Sequence, residues 1–371
     1  MNDSYDVAVV GAGIIGLGAA YAAVRRGQRV IVIDRAAEPN GATIRNFGHL
    51  CIGAQAGAAR RYGDKARDIW LTLAREAGFW LRESGTLVVA RHEDELALLS
   101  AAAETGGIDI LSAGETESRL PIAAGTAVGG AHIRTDLQTD PRTASVAIRR
   151  YLADQGVEFL LRTSVRSVSE GRVATSRGII SAGLVVVAVN HDIDQLLPEL
   201  AEAAGVQRCG LDMLRARADL RAPLAAPLLT GWSLTRYGRF AALPEVVAVR
   251  KRLHTERPDL AALDLNQMYT QLPDGTLIVG DTHVRGDSVA PFQPETAAEL
   301  LVSEAETLFG VPLRVIERWQ GVYASAPEDF LVDTTMPGLA VLAATTGIGM
   351  TTGLGLAETS LAPLLPAPAT A

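Results

Sequence analysis

The chain has 371 residues, 48% of them hydrophobic and 20% charged, with a formal net charge of −8 and two cysteines. That length accommodates two domains, or one large α/β domain with an insertion, and the acidic balance gives no reason to expect nucleic acid or an anionic membrane as partner. Cys51 and Cys209 lie far apart without metal-ligand spacing, so a disulfide framework is excluded and a reducing compartment is expected.

The first predicted element is a buried strand, Val7-Ala8-Val9-Val10, followed at once by the G-x-G-x-x-G turn of Gly11, Gly13 and Gly16. A helix follows through Leu17 to Arg25-Arg26, closed by Gly27. In such a turn Gly11 permits the bend, Gly13 lets a pyrophosphate approach, and Gly16 lets helix and strand pack closely. The helix N-terminus, with free N–H groups and the positive end of the macrodipole, favours the phosphate charge. A second strand, Arg29–Ile33, ends in Asp34, whose carboxylate is placed to accept hydrogen bonds from an adenosine ribose. Together these elements predict a Rossmann-like dinucleotide site. The first strand begins at Tyr5, which leaves no room for a signal peptide before it. Apolar runs such as Gly183–Val189 are too short to span a bilayer. A soluble, cytoplasmic protein is expected.

Residues 35–41 read as a loop, and Asp64 to Leu81 as a helix with Ile69, Leu73, Ala77 and Trp80 at helical spacing. Gly85–Ala90 is a predicted strand and Glu93–Glu104 a helix closed by Gly106-Gly107. Asp140 caps a helix with Pro141 at its first position, running to Gln155-Gly156. Val157–Leu161, Ser164–Val168 and Arg172–Thr175 are predicted short strands, and Leu184–Val189 a central one in the parallel sheet. Beyond Gln207 the pattern turns antiparallel: strands are expected at Phe240–Val249, Gln267–Gln271 and Thr276–Val279, with a hairpin at Pro273-Asp274-Gly275. Pro294–Phe309 is a predicted helix and Leu339–Ala344 a strand. A turn at Thr346–Met350 leads into a last helix from about Thr351 and a frayed tail, Pro366–Ala371.

The expected fold class is therefore α/β, a Rossmann-like FAD-binding domain with a second, mainly antiparallel-sheet substrate domain. The first is discontinuous, comprising residues 1–50, 140–204 and 324–371; the second comprises 51–139 and 205–323. The flavin is preferred to a nicotinamide because a second strand–turn–helix returns to the same sheet at the C-terminal end. Its helix N-terminus can face the flavin C2 carbonyl.

The chain resembles, over nearly its whole length, the flavin-dependent amine and amino-acid oxidases of the D-amino-acid oxidase, glycine oxidase and sarcosine oxidase type. The resemblance rests on the first fingerprint with Asp34, Asp140-Pro141-Arg142, Thr163-Ser164-Val165, Val186-Val187-Ala188, Arg318-Trp319-Gln320-Gly321 and Thr346–Thr351. Ile44-Arg45-Asn46-Phe47-Gly48-His49 is similar to a subgroup proposed to act on aminophosphonates. It implies oxidation of a 2-aminoethylphosphonate derivative, N-methylated or hydroxylated, towards phosphonoacetaldehyde. Two positions depart from the family. Where G-x-R-P is usual, with an arginine gripping a substrate carboxylate, this chain has Gly321-Val322-Tyr323-Ala324; a tyrosine cannot form that bidentate ion pair. Asn190 stands where a glycine is commoner.

For the cofactor, the resemblance implies contacts from Gly11, Gly13, Ile14, Ile15, Gly16, Asp34, Arg35, Ala42, Thr43, Arg45, Asn46, Val165, Ala188, Gly347, Ile348, Gly349, Met350 and Thr351. Val165 is expected at the adenine and Gly349, Met350 and Thr351 at the flavin pyrimidine edge. His49, Arg45, Tyr323 and His283 are the candidate substrate-side residues, each read against a structural role: a packed histidine, a pyrophosphate-facing arginine, a buried tyrosine and a loop histidine. His49 is also a candidate covalent flavin anchor; the cysteines are expected to be buried free thiols. Arg236, Arg239, Arg250, Lys251 and His254 form a basic region, from which a dianionic phosphonate would want one or two members. His92, His132 and His191 are read as structural, and Trp319 as wall rather than reagent. No metal is expected. The expected partner is a small anionic amine, with O2 as one possible electron acceptor. The alternatives are an oxidase of small N-alkyl or primary amino acids of the glycine or sarcosine type, and a non-catalytic FAD-binding electron-transfer subunit.

Overall fold

The computed structural model describes residues 4–367. It opens with the strand β1 (Ser4–Val10), the helix α1 (Ile14–Val24) and the strand β2 (Val30–Ile33). The long helix α2 (Gly57–Ala77) and the strand β3 (Thr86–Ala90) follow. The helix α3 (Pro141–Asp154) is capped by Asp140, whose carboxylate accepts from the Arg142 N–H. Then come the short strand β4 (Glu158–Leu160) and the strand β5 (Gly178–Val187). β5 lies between β1 and the last strand of the chain, parallel to both. Side chains alternate strictly along these strands. Val7, Val9, Val30, Val32, Leu184 and Val186 enter one core with α1, while Ala8, Val10, Ile31, Ile33, Val185 and Val187 enter the other. Both faces are covered, and so these strands read as unbroken apolar runs.

The second half supplies the strand β6 (Gln207–Arg217), the helix α4 (Val246–Glu256) and the hairpin of β7 (Met268–Gln271) and β8 (Leu277–Gly280). The 20-residue strand β9 (Arg314–Asp333), the strand β10 (Leu339–Thr346) and the helix α5 (Gly349–Leu361) complete it. β9 pairs antiparallel with β6 over Arg314 to Ser325 and with β10 over Ser325 to Asp333. One mixed sheet of 16 strands therefore runs from the antiparallel region through β9 into the parallel region. A small antiparallel sheet of three strands (His49–Leu50, Leu137–Thr139 and Leu81–Arg82) lies apart from it.

Three expectations need correction. Phe240–Val249 is not a strand: Gly238–Ala241 is one helical turn and Val246–Val249 begins α4. Val246, Val249 and Leu253 are buried at helical spacing while Val247 is 65% exposed, so tertiary packing overrides a β-branched run. The first long helix starts at Gly57 rather than Asp64, because its N-cap Ala56 carries no capping side chain to announce it. It stops at Gly78, which is left-handed at φ 69°. The last helix begins at Gly349, two residues earlier than expected. Of the tail, residues 368–371 lie outside the described residues.

Asn190 finds an explanation here. Its φ of 58° lies in the left-handed region that glycine and asparagine tolerate best, and its Oδ1 accepts the Ala324 N–H at 2.8 Å, tying β9 to the end of β5. Asn190→Ala is expected to lower the unfolding free energy by about 2 kcal/mol and Asn190→Gly by about 1 kcal/mol, since glycine loses only the hydrogen bond. Chemical denaturation of the three proteins checks that order.

Candidate active site

A cavity of about 980 Å³ runs between the parallel strands' C-terminal ends and the antiparallel region. At one end it meets the N-terminus of α1. Gly11 is left-handed (φ 105°), and a Cβ there would overlap the Ala188 carbonyl. A Cβ on Gly16 would overlap the Gly11 carbonyl, so the glycine is needed for the turn to close on its own helix. Gly13, the N-cap, has no side chain to offer the first-turn N–H groups. The Ile14 N–H donates to Thr43 Oγ1 at 2.9 Å. Asp34 accepts the Ala12 and Ala36 N–H groups, one on each oxygen, both at 2.7 Å. Each carboxylate oxygen keeps a further lone pair for a ribose hydroxyl.

Ala42, Thr43, Arg45 and Asn46 form the adjoining wall. Asn46 staples this loop: its Nδ2 donates to the Ala42 and Thr43 carbonyls and its Oδ1 accepts the Gly48 N–H. The Arg45 Nη1 donates to the Gln320 carbonyl at 3.0 Å. Arg35 sits at the rim, paired with Asp192 at 2.6 Å. Val165, Ala188 and the run Gly347, Ile348, Gly349, Met350 and Thr351 line the cavity too, and α5 begins there with no side-chain cap. Thr351 Oγ1 accepts the Cys51 N–H, and the Met350 carbonyl accepts the Trp70 indole N–H. Of the expected cofactor residues only Gly16 is not on the wall. Ser145 and Arg149 of α3 and Gln55 and Ala56 at the start of α2 join them without having been expected. Two uncapped helix N-termini, a glycine cradle and a carboxylate at the end of β2 suit a dinucleotide that carries a flavin.

The other end of the cavity is polar, with Asn266, Asp281, His283 and Tyr323 buried and Arg250, His254 and Arg285 exposed at its mouth. Arg236, Arg250, His254, Asp264, Asn266, Asp281, His283, Arg285 and Tyr323 line it. Asp264 is held by two guanidiniums, its Oδ1 accepting from Arg236 Nη1 and its Oδ2 from Arg285 Nη1, both at 2.6 Å. Burial alone would raise the Asp264 carboxyl; the Arg236, Arg285 and His283 interactions hold it below the usual range. His283 Nδ1 lies 2.9 Å from the Asp264 carbonyl, so it carries the proton there. Burial, then the charge of Arg236, pushes this imidazole down to about 3. His283 is thus neutral with a bare Nε2, which suits it to accept an N–H and not to bind an anion. Tyr323, opposite Cys209 in the β9–β6 register, has its phenol pushed up by burial and remains an O–H donor.

His49 lies in the interior. Its Nε2 is 2.6 Å from Thr86 Oγ1, which donates to Asp136 Oδ2, and its Nδ1 faces the Met268 sulfur at 3.0 Å. His49 lines the cavity, but both its nitrogens face protein atoms. Although the cysteines show no ligand spacing in sequence, the fold brings Cys51, His49 and Asp136 close enough for one ligand atom from each to lie within 4.8 Å of the others. The basic region also divides. Arg239 turns away to the Gly53, Ala102 and Gly106 carbonyls, and Lys251 is exposed. Trp319 is absent from the wall and its ring lies under Arg142.

Arg285, Asp264, Asn266 and Asp281 were not anticipated as site residues. One signal was available: Asp281, His283 and Arg285 alternate through an extended run, which puts them on one face. Burial pushes both thiols up, Cys51 well above its ordinary value. At about pH 8 iodoacetamide is therefore expected to label neither cysteine in the folded holoprotein and both after denaturation, read by mass spectrometry.

A family model described as FAD dependent oxidoreductase (DAO) matches residues 6–360. A D-amino acid dehydrogenase of Helicobacter pylori is 24% identical over 243 residues, 49% of this chain and 59% of that protein. The match thus spans less than two thirds of that relative. Among solved structures, glycine oxidase from Geobacillus kaustophilus superposes with a TM-score of 0.76 at 19% identity, covering 99% of this chain and 100% of that one. L-proline dehydrogenase from P. horikoshii superposes with a TM-score of 0.77 at 17% identity, covering 98% and 94%. Both are likenesses of fold.

Proposed function

We infer that this chain, which belongs to the FAD dependent oxidoreductase (DAO) family, oxidises the C–N bond of a small anionic amine. Its substrate on this reading is a 2-aminoethylphosphonate derivative, N-methylated or hydroxylated, converted to a phosphonoacetaldehyde-type aldehyde and an amine. The observation that carries the reading is the pair Arg236 and Arg285 on the cavity wall. Each spends one Nη on Asp264, and its remaining guanidinium nitrogens make no other hydrogen bond among the described residues. Arg236 and Arg285 share one carboxylate, Asp264, and keep donors free for an anion, and Tyr323 supplies a neutral donor where a single carboxylate-gripping arginine is usual. That arrangement suits a phosphonate, with three oxygens, better than it suits a carboxylate.

Bound FAD supplies the two-electron oxidant. Gly13, Ile14 and Thr43 would hold its pyrophosphate, Asp34 its ribose, and the first turn of α5 the pyrimidine edge of its ring. The remaining task of the chain is positional. Arg236, Arg285 and the Tyr323 hydroxyl would fix the anion, which orients the carbon next to nitrogen.

The second reading, an oxidase of small amino acids, is favoured by the same arginines, since they also accept a carboxylate. Paired substrates decide between them. The kcat/KM for N-methyl-2-aminoethylphosphonate is expected to exceed that for N-methyl-β-alanine and sarcosine by at least about tenfold, which is about 1.4 kcal/mol of differential binding. Equal or reversed values favour the amino-acid reading, and peroxide formation tests O2 as the acceptor.

A further inference from the structure

Two buried acceptors at the polar end, Asp281 Oδ1 and Asn266 Oδ1, have no hydrogen-bond partner among the described residues. Both residues line the cavity, and their backbones are locked together: the Asn266 N–H donates to the Asp281 carbonyl, and the Asp281 N–H returns the bond. A third acceptor joins them. The proton of His283 is committed to the Asp264 carbonyl, so its bare Nε2 faces Asp281 Oδ2 at 3.6 Å. Leaving buried acceptors unpaired is costly, and native proteins rarely do so without a ligand or a chemical use. The Asn266 side chain already interacts with the Asp281 carboxyl, yet an Oδ1 of each lacks a donor and His283 Nε2 faces only a carboxyl oxygen; beside two guanidiniums with donors to spare, they match a ligand with an N–H donor at one end and an anion at the other.

Resting on the functional reading above, we propose that Asp281, Asn266 and His283 form the amine-receiving end of the substrate site, with Asp281 taking the proton of the incoming ammonium. In that step a substrate N–H bond breaks and an Asp281 O–H bond forms. The nitrogen keeps its lone pair, and the amine is neutral when its neighbouring C–H bond is oxidised. Asn266 Oδ1 and His283 Nε2 accept any N–H that remains.

Groups facing Asp281 from every side leave it the titrating member of the cluster. Arg236, Tyr237, Cys209, Tyr323, Asp264 and His283 all interact with it or its immediate neighbours. Between about pH 5 and pH 9 the arginine stays charged. The two phenols and the thiol are pushed up, Asp264 is held low and His283 is held neutral. Burial raises Asp281 to about 7 against the pull of Arg236.

The test measures binding to the holoenzyme, by perturbation of the flavin spectrum, of 2-aminoethylphosphonate and β-alanine against their amine-free counterparts ethylphosphonate and propionate. In the wild type the affinity ratio of each amine to its amine-free partner rises with pH, up to about tenfold per unit, and levels off above about 7. Taking the ratio cancels titration of the phosphonate itself. Asp281→Asn lowers the amine affinities by about 30-fold, leaves ethylphosphonate within about twofold, and removes the rise near 7. Asn266→Leu lowers the amine affinities but keeps the rise. Equal losses for the amine and amine-free ligands, or an unchanged rise in Asp281→Asn, overturn the assignment to Asp281. Failure of the phosphonate reading shows separately, as β-alanine and propionate outcompeting the two phosphonates.

Discussion

Gly13→Val will give a folded protein that holds no stoichiometric flavin. Gly13 has φ −74° and ψ 176°, an extended conformation open to any residue. A Cβ there would meet only Thr43 Oγ1, at 3.3 Å. Thr43, whose Oγ1 accepts the Ile14 N–H, must give by a few tenths of an ångström, so the fold bears the side chain at a cost of about 1 kcal/mol. The space it fills is the approach to the uncapped N-terminus of α1, where a pyrophosphate must come within hydrogen-bond distance of the backbone. Loss of those charge-assisted bonds is worth about 3 kcal/mol or more, which is at least about a hundredfold in FAD affinity. Gly11→Val will behave differently. Its φ of 105° and the overlap with Ala188 attack the fold itself, so the protein will lose stability whether or not FAD is supplied. Flavin content by absorbance, with thermal unfolding of the apoproteins, separates the two effects. A yellow, stoichiometric Gly13→Val protein would remove the cradle from the account.

Arg236→Gln should cost the largest share of catalytic efficiency among the polar-end residues. The guanidinium is 2.6 Å from Asp264, adds charge beside Asp281 and His283, and lines the substrate end of the cavity. Removing one buried partner of an anion typically costs about 3–4 kcal/mol, so kcat/KM for an anionic amine should fall by about 10² to 10³. Arg236→Lys should recover only part of it, since an ammonium lacks the planar fork. Arg285→Gln should act in the same direction, and the double variant should fall short of the summed losses, because both arginines bond one carboxylate. Steady-state kinetics with an anionic amine and with an uncharged alkylamine of equal length makes the measurement. A parallel loss on the uncharged amine would mean that Arg236 supports the fold and not the anion.

The sequence disclosed the nucleotide half of the molecule far better than the substrate half, and for a physical reason. On the proposed reading FAD would be held largely by backbone: Gly11, Gly13, Asp34 and the start of α5 offer turn geometry and helix ends, which local sequence encodes. The substrate end is assembled from side chains that meet only in three dimensions. Arg236 comes from the turn after the short helix Gly231–Leu234, Asp264 and Asn266 from a connection, Asp281 and His283 from the run after β8, and Arg285 from the strand Val284–Gly286. His49 illustrates the limit. Its place just after the loop of Ala42–Asn46 suggested a substrate ligand, yet Thr86 and Met268, distant in sequence, face both its nitrogens. The continuity of the sheet was also hidden, because the joint is made by β9, whose alternation from Arg314 is broken by Pro327-Glu328-Asp329, a run that reads as a turn inside what is one 20-residue strand. Asn190, without a role as a sequence feature, acquires one only when its left-handed φ and the Ala324 contact are seen together.

On the proposed reading, an anionic amine bound at the arginine end delivers electrons to FAD held along the glycine end. Adding N-methyl-2-aminoethylphosphonate to the holoprotein without oxygen tests it most directly. The account predicts that the visible flavin band bleaches while methylamine and phosphonoacetaldehyde appear in equal amounts. A flavin that stays yellow with every aminophosphonate offered, and bleaches with sarcosine or glycine, would contradict it.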